Sequence, residues 1–303
     1  MQPITVLSLF DGMSCGRLAL ERAWIPVRRY FASEIDKYAM QISKKNYPSI
    51  IHIGDVSKCE YRYMSGSKKH QWYYLLGEPN SDTLCTNMWR TDIDLLIGGS
   101  PCQWFSNAGK GLNFEDPRSK LFFEFVRILN EAKPRYFLLE NVKMKKEWQN
   151  TISEHLFGIQ PVEIDSALVS AQRRKRLYRV WKRNEDWGYS QVIVSQPIDK
   201  GIFLRDSTLY GENKIWQYPR WFNEWWIKEG KSTTLSSHWW QYNNFIVGDM
   251  TWLRSITPIE CERLQTLPDD YTAGVSNTQR YKMIGNGWTV DVIAHIFREM
   301  FKD

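Results

Sequence analysis

A cysteine beside a proline lies in a short polar segment that follows a run of apolar residues. Cys102 ends the stretch Gly99-Ser100-Pro101-Cys102, and a loop rich in Gly, Asn and Ser continues to about Pro117. An ordinary core cysteine packs among apolar side chains as an inert group. A thiolate that a ligand can reach acts as a nucleophile and forms covalent intermediates. Cys102 is therefore the first candidate for a reacting group, although most single cysteines are inert.

An acidic residue and a pair of arginines are the next candidates. Glu140 follows the apolar run Tyr136–Leu139, and a carboxyl group near a nucleophilic thiol suits acid–base chemistry. A polar strand terminus is the structural alternative. In the run Gln172–Arg176, alternation along an extended chain places Arg174 and Arg176 on one face. Most charge runs are solvated, but two guanidinium groups on one face can also hold developing negative charge.

Three more features follow three successive apolar runs near the start of the chain. Phe10–Gly16 is glycine-containing and precedes a predicted helix, so its backbone can approach a ligand. Glu34 ends the next run, where a carboxylate can accept hydrogen bonds from a ribose. Asp55 ends the third run and can bind an adenine amino group. Each feature has an ordinary explanation, as a turn or a surface acid, and the three together are more informative than any one.

The elements that must position these residues alternate between strand and helix. The pattern predicts strands over 4–10, 27–34, 50–53, 93–97 and 136–139, and helices over 15–23, 36–45 and 119–132. Such alternation indicates a parallel sheet covered on both faces, in which ligands bind beyond the carboxyl ends of the strands. Regularity weakens from about 185 to 250, where tryptophans cluster, and helical patterns return over 257–266 and 287–302.

Composition sets broad limits on the class of protein. The 303 residues suffice for one large α/β domain and a smaller one. The net charge of +6 permits a polyanionic partner without proving one. The five scattered cysteines include no C-x-x-C pair, so neither a zinc site nor a set of disulfides is predicted. This use of cysteine suggests a reducing, cytoplasmic setting. The sequence contains no long apolar run and no basic leader, so neither a membrane span nor a signal peptide is predicted.

The ordered set of segments resembles the DNA cytosine-5 methyltransferase family over nearly the whole chain, except for residues 185–250. The matching segments are Phe10–Gly16, Ser33–Asp36, Gly54–Val56, Gly99–Gln103 with Phe105-Ser106, Arg118–Arg127, Glu140–Val142, Gln172–Arg176, Thr257–Asp269 and Gln279–Asn286. Ser14-Cys15 replaces a glycine pair common in the family, and Gly287 replaces a serine. Phe10–Gly12 and Trp288 are similar to the animal de novo subgroup.

The resemblance implies a fold and a division of the chain. We expect an α/β, Rossmann-like, S-adenosylmethionine-dependent methyltransferase sheet with a second, smaller target recognition domain. The catalytic domain is predicted over 1–184, the recognition domain over 185–252, and a C-terminal segment over 253–303 returns to the catalytic domain.

The resemblance also implies the roles of the four catalytic candidates. Cys102 attacks carbon 6 of a cytosine that has been flipped out of double-stranded DNA, so that carbon 5 can accept a methyl group. Glu140 holds the ring nitrogen and the exocyclic amine. Arg174 and Arg176 position the base and stabilise charge. The base that removes the carbon 5 proton is not identified, and water can serve.

Binding residues are implied in the same way. The cofactor is S-adenosyl-L-methionine, which leaves as S-adenosyl-L-homocysteine, and no metal is expected. Its predicted contacts are Phe10, Gly12, Glu34, Ile35, Asp55, Val56, Pro101, Leu121 and Asn286. The predicted DNA contacts are Gln103, Ser106, Lys231, Thr233 and Thr234. No membrane partner is expected, and the oligomeric state stays open, a monomer included.

Three rival functions remain at this point. One is methylation of tRNA cytosine by the same core, and another is an inactive DNA-binding homologue, which the four catalytic candidates disfavour. A nicotinamide-dependent oxidoreductase fits the α/β pattern and Glu34 but leaves Pro101-Cys102 and the arginine pair unexplained. The recognition sequence, and a role as restriction partner, orphan or phage enzyme, stay undecided.

Overall fold

The computed structural model describes residues 1–65, 71–76, 88–99, 120–186, 188–217, 226–235, 244–247 and 253–302. The strands in these ranges are β1 (Ile4–Leu9), β2 (Val27–Ser33), β3 (Ile51–Gly54), β4 (Glu60–Ser65), β5 (Gln71–Leu76), β6 (Met88–Arg90), β7 (Leu95–Gly99), β8 (Tyr136–Val142), β9 (Val162–Asp165), β10 (Lys175–Arg183), β11 (Tyr189–Gln191), β12 (Lys214–Gln217), β13 (Trp226–Glu229), β14 (Asn244–Val247) and β15 (Leu253–Ser255). The α-helices are α1 (Cys15–Arg22), α2 (Lys37–Asn46), α3 (Lys120–Ala132), α4 (Lys146–His155), α5 (Pro258–Leu264), α6 (Asn277–Asn286) and α7 (Val290–Met300).

The largest sheet has the strand order β11-β10-β8-β7-β1-β2-β3, and β9 pairs with β10 off this path. The pairs from β8 through β7, β1 and β2 to β3 are all parallel. Strand β10 runs antiparallel to β8, β9 and β11. The prediction of an α/β fold with a parallel sheet is confirmed, and the strand order reverses beside β1.

Two apolar layers cover the faces of this sheet. Alternation along β1 sends Val6 into one layer and Leu7 and Leu9 into the other. The first layer includes buried residues of α1, α2 and α7, and the second includes those of α3 and α4. Since both faces are covered, β1 is buried along its whole length.

Local sequence signals fix several helix starts. Asp36 caps α2, since its carboxylate accepts hydrogen bonds from the backbone N–H groups of Tyr38 and Ala39. Helix α5 begins with a reciprocal capping box between Thr257 and Glu260, with Pro258 at the first helical position. Helices α4 and α6 were not predicted from the sequence.

Two smaller sheets accompany the large one. Strands β12 to β15 form an antiparallel sheet of order β13-β12-β14-β15, and β4 to β6 form a three-stranded sheet between β3 and β7 in the chain. The boundaries predicted for the recognition domain, 185 and 252, do not coincide with the ends of the smaller antiparallel sheet. Strand β11 extends the large sheet, whereas β15 completes the smaller one. The division into domains stays a prediction.

Candidate active site

Three polar or aromatic residues follow three neighbouring strand ends at one edge of the large sheet. Register pairs Leu9 with Ser33, and Ser33 with Gly54, so the ends of β1, β2 and β3 lie side by side. The residues that follow them are Phe10, Glu34 and Asp55. Farther along the same sheet, Gly99 of β7 pairs with Glu140 of β8. The structure therefore brings these sequence-predicted residues to one edge of the sheet.

The Glu140 carboxylate has a defined partner on each oxygen. Arg176 Nε lies 3.1 Å from Oε1, an ion pair without hydrogen-bond geometry. The indole Nε1 of Trp288 donates to Oε2 at 3.3 Å. Glu140 is 8% exposed, so its charge is held in a largely dehydrated place. The carboxylate is thus oriented by one cation and one neutral donor.

Gly99 leaves the room that this arrangement needs. A Cβ atom built at Gly99 would lie 2.8 Å from Trp288 Nε1 and 2.9 Å from Glu140 Oε2. Any side chain there would displace one of the two partners. The last residue of β7 therefore has to be glycine for the indole and the carboxylate to meet.

Arg174 is a buried cation bound to the protein's own backbone. Its Nη1 donates to Leu235 O at 2.8 Å, and its Nη2 donates to Gly285 O at 3.1 Å and Gly287 O at 3.0 Å. Burial, and next the charge of Arg176, lower the pKa of Arg174 to about 9. The sequence suggested that Arg174 and Arg176 act alike on the base. In the structure only Arg176 forms an ion pair with Glu140, while Arg174 joins backbone segments behind it.

The loop after β1 has an unusual backbone. Phe10, Gly12 and Ser14 all have positive φ, at 57°, 60° and 66°. Asp11 accepts hydrogen bonds from Ser14 Oγ at 2.5 Å and from Tyr30 Oη at 2.7 Å. Burial raises the pKa of Asp11 to about 6, although these hydroxyl groups act in the opposite direction.

Glu34 connects that loop to the end of β2. Its Oε2 accepts a hydrogen bond from Gly12 N at 2.7 Å, and its Oε1 accepts from Ile35 N and Asp36 N, both at 2.8 Å. Ile35 is 73% exposed, which leaves an apolar side chain open at this edge. The carboxylate predicted to bind a ribose therefore also shapes the glycine loop.

The other predicted cofactor contacts differ in accessibility. Asp55 begins a 3₁₀ turn and accepts from Ser57 N at 2.9 Å, while the side chain of Val56 is 3% exposed and packs in the core. Leu121 lies in the first turn of α3 against the second apolar layer. Asn286 is exposed at the end of α6. Val56 can therefore offer a ligand little beyond its backbone.

The predicted DNA contacts Lys231, Thr233 and Thr234 follow β13. Lys231 Nζ donates to Ala167 O at 2.8 Å, to Ser170 O at 3.1 Å and to Ile202 O. Burial lowers the pKa of Lys231. Thr234 is exposed and Thr233 is half-buried. The Lys231 ammonium group thus binds carbonyl groups of the protein itself, and the DNA contact predicted for Lys231 from the sequence stays a prediction.

Several predicted residues lie outside the described part of the chain. These are Cys102 and its neighbours Pro101, Gln103 and Ser106. The described chain reaches Gly99 and resumes at Lys120. The roles of these four residues stay predictions.

The family of the chain follows from a comparison with family models. The model of the C-5 cytosine-specific DNA methylase family matches residues 4–246 and 228–302. The chain belongs to this family. The prediction of a DNA cytosine-5 methyltransferase is therefore confirmed at the level of the family.

Individual relatives of the methylase family agree with this assignment. The type II methyltransferase M1.ScrFI of Lactococcus lactis subsp. cremoris is 30% identical, over 98% of this chain and 78% of its own length. The type II methyltransferase M.NlaX of Neisseria lactamica is 29% identical, over 97% of this chain and 95% of its own. The solved structure of the S. pombe Dnmt2 methyltransferase superposes with a TM-score of 0.66 at 19% identity, covering 98% of both chains.

Sequence reasoning about this methylase missed the part that Trp288 plays. The sequence marked Trp288 only as a feature of a subgroup, and nothing in its spacing linked it to Glu140. An indole is among the few apolar side chains with a hydrogen-bond donor, and this was the one available signal.

The longest α-helix among the described residues, α3, has 13 residues. Among the described residues, no helix is long and apolar enough to cross a bilayer.

Proposed function

We propose that this chain transfers the methyl group of S-adenosylmethionine to carbon 5 of a cytosine in double-stranded DNA, with Cys102 as covalent nucleophile. The observation that supports this most strongly is the Glu140 carboxylate, held by Arg176 and Trp288 beside Gly99. Cys102 follows Gly99 by three residues in a chain of the methylase family. Nucleophile and acid therefore belong to adjacent strand ends.

The chemistry requires carbon 5 of the ring to become nucleophilic. Attack of the Cys102 thiolate on carbon 6 forms a carbon–sulfur bond and moves the ring π electrons to carbon 5. Glu140 binds the ring nitrogen N3 and the exocyclic amine. Its carboxyl group donates a proton to N3 and so neutralises the negative charge that the attack produces there. After the methyl group is bound to carbon 5, loss of the carbon 5 proton expels the Cys102 thiolate and restores the aromatic ring.

The described residues fit the proposed cofactor at the edge formed by β1, β2 and β3. Gly12 has positive φ, and nothing lies within 4 Å of where its Cβ atom would be, so a ligand can approach this loop. Glu34 supplies an acceptor for ribose hydroxyl groups, and Ile35 and Phe10 supply apolar surface for adenine. S-adenosylmethionine bound there supplies an electrophilic methyl group on sulfur.

Double-stranded DNA is the proposed macromolecular partner. A cytosine stacked in the duplex is out of reach of a thiol, so the base has to be flipped out at a cost of a few kcal/mol. We assign recognition of the target sequence to the sheet of β12 to β15, with Thr233 and Thr234 as contacts, and Gln103 and Ser106 beside the flipped nucleotide. Such an activity belongs in the cytoplasm of a prokaryotic cell.

Mechanism-based trapping tests the covalent step. Duplex DNA in which 5-fluorocytosine replaces cytosine should form an adduct that survives denaturation, because fluorine at carbon 5 blocks the final elimination. The adduct should require S-adenosylmethionine and should be absent with Cys102→Ser. An adduct of normal yield with Cys102→Ser would refute the assignment of the nucleophile.

Bisulfite sequencing of DNA from cells that express the protein tests the substrate. We expect protected cytosines within one short sequence. Parallel assays on tRNA cover the rival substrate, and turnover on tRNA without methylation of DNA would contradict the proposal.

A further inference from the structure

The segment from Lys231 to Leu235, called here the 231–235 segment, joins the smaller sheet to the arginine motif. It follows β13 after Gly230 and lies along residues 170–174. Ser232 N donates to Ala171 O at 2.7 Å, and Arg173 N donates to Ser232 O at 2.9 Å. The hydroxyl of Thr234 donates to Arg173 O at 2.7 Å. The 231–235 segment is therefore hydrogen-bonded to the backbone next to Arg174.

The side chain of Gln172 binds the last residue of the 231–235 segment, Leu235. The Gln172 side chain is fully buried. Oε1 accepts a hydrogen bond from Leu235 N at 2.9 Å, and Nε2 donates to Leu264 O at the end of α5 at 3.1 Å. The Gln172 amide thus satisfies a buried donor of the 231–235 segment and a buried acceptor at the end of α5.

Leu235 also contacts Arg174, through its carbonyl group. Arg174 donates to Leu235 O and also to Gly285 O and Gly287 O. The next residue after Gly287 is Trp288, the donor to Glu140. Hydrogen bonds thus connect the 231–235 segment through Arg174 to Gly287, and the peptide bond from Gly287 to Trp288 completes the link to the Glu140 carboxylate.

We propose that Gln172 is a positioning residue that holds the 231–235 segment on Arg174, so that methyl transfer depends on the seating of the DNA-reading sheet. The inference rests on the proposed function. Without the amide, Leu235 N is left buried without an acceptor, and the segment has to shift to satisfy it. Arg174 then loses the Leu235 carbonyl, and its guanidinium group can shift relative to Gly287 O, next to Trp288. A DNA that is bound but wrongly seated would act on Glu140 in the same way.

The chain offers a matched control at Ser170. Ser170 is also buried, donates to the same Leu264 carbonyl at 2.6 Å and accepts from Gln172 N at 3.2 Å. Its side chain has no hydrogen bond to the 231–235 segment among those of the described residues. Ser170→Ala and Gln172→Met each remove two buried hydrogen bonds, but only Gln172→Met releases Leu235.

The test measures methyl transfer in a single turnover at saturating duplex DNA and S-adenosylmethionine, together with the Kd of each. Gln172→Met should slow methyl transfer by about tenfold or more, because misplaced catalytic groups lose rate while binding is kept. The Kd of S-adenosylmethionine should change less than about threefold, which is under 1 kcal/mol, and saturating DNA keeps any change in DNA affinity out of the measured rate. Ser170→Ala should retain the parental rate. Hydrogen exchange of the backbone over 231–235 should rise in Gln172→Met alone.

A second variant keeps the idea falsifiable if Gln172→Met folds poorly. Gln172→Glu retains an oxygen acceptor for Leu235 N and should retain more of the single-turnover rate than Gln172→Met. Equal rates and equal exchange in Gln172→Met and Ser170→Ala would overturn the inference, as would equal rates in the Glu and Met variants. Failure of the proposed function is distinguishable, since the parental protein would then methylate no DNA cytosine, while the exchange measurement would still report the contact.

Discussion

Two regions of the molecule use similar polar side chains in opposite ways. At the edge formed by β1, β2 and β8, burial raises the pKa of Asp11, and the buried Glu140 carboxylate is paired with Arg176 and Trp288. In the 231–235 segment, Lys231 and Thr234 satisfy carbonyl groups of the protein. The first region holds acidic side chains at the edge where ligands are predicted to bind, and in the second region polar side chains hold the 231–235 segment against neighbouring backbone. Residue type alone does not distinguish the two uses.

The largest expected effect is at the carboxylate of the first region. Glu140→Gln preserves the shape of the side chain but removes the ion pair with Arg176 and cannot exchange a proton with the ring nitrogen, so we expect methyl transfer to fall by about 10²–10⁴-fold. Single-turnover rates at saturating DNA and cofactor measure this.

A surface acid provides the control for that substitution. Glu154 is exposed on α4, and Glu154→Gln should leave the rate unchanged. A Glu140→Gln variant with more than about a third of the parental rate would remove proton exchange from the role of Glu140.

The second effect concerns cofactor affinity at the same edge. Glu34→Ala removes the acceptor for the ribose and for Gly12 N, so binding of S-adenosylmethionine should weaken by about 1–3 kcal/mol. Isothermal titration calorimetry checks this. Glu21→Ala on the surface of α1, where Glu21 lies 3.8 Å from Arg17, serves as control. Unchanged affinity in Glu34→Ala would exclude Glu34 from the cofactor site.

The third effect tests the inward role of Lys231. Lys231→Ala should destabilise the fold by about 1–3 kcal/mol, since buried carbonyl groups lose their donor. The slope of log Kd against log salt for DNA binding should stay unchanged, whereas loss of one phosphate contact lowers it by about 0.9. Urea unfolding and binding at several salt concentrations give the two quantities.

An exposed lysine of the same sheet sharpens this comparison. Lys214 lies on β12 and is exposed, so Lys214→Ala should leave stability nearly unchanged. A smaller salt slope in Lys231→Ala at full stability would return Lys231 to the DNA contacts.

The sequence predicted the first region well for a physical reason. Glu34 and Asp55 each follow a strand directly, Glu140 lies near the end of β8, and parallel strands bring their carboxyl ends to one edge. The order of apolar runs was therefore enough to assemble them. The inward turn of Lys231 and the indole of Trp288 on Glu140 depend on contacts between residues far apart in the chain. No local periodicity encodes such contacts, and the same holds for the antiparallel strand β11.

The smallest effect follows from the raised pKa of Asp11. Its carboxyl binds a proton more tightly in the folded chain, with a pKa of about 6, than in the unfolded chain, where the ordinary value is 3.8. The contribution of Asp11 to stability therefore falls as pH rises from about 4 to about 6. Asp11→Asn cannot ionise, so the variant should gain about 1–2 kcal/mol relative to the parent over this range.

Urea unfolding of both proteins at several pH values between 4 and 8 measures that gain. Any hydrogen bond that asparagine makes poorly with Ser14 or Tyr30 adds a constant offset, which cancels when the two pH curves are compared. Asp269 has a lowered pKa because it is hydrogen-bonded to Arg263, so Asp269→Asn should lose stability relative to the parent as pH rises through the acid range. Parallel curves for the parent and Asp11→Asn would mean that the glycine loop holds its acid at no cost. The contrast between the cofactor edge and the 231–235 segment would then rest on Glu140 alone.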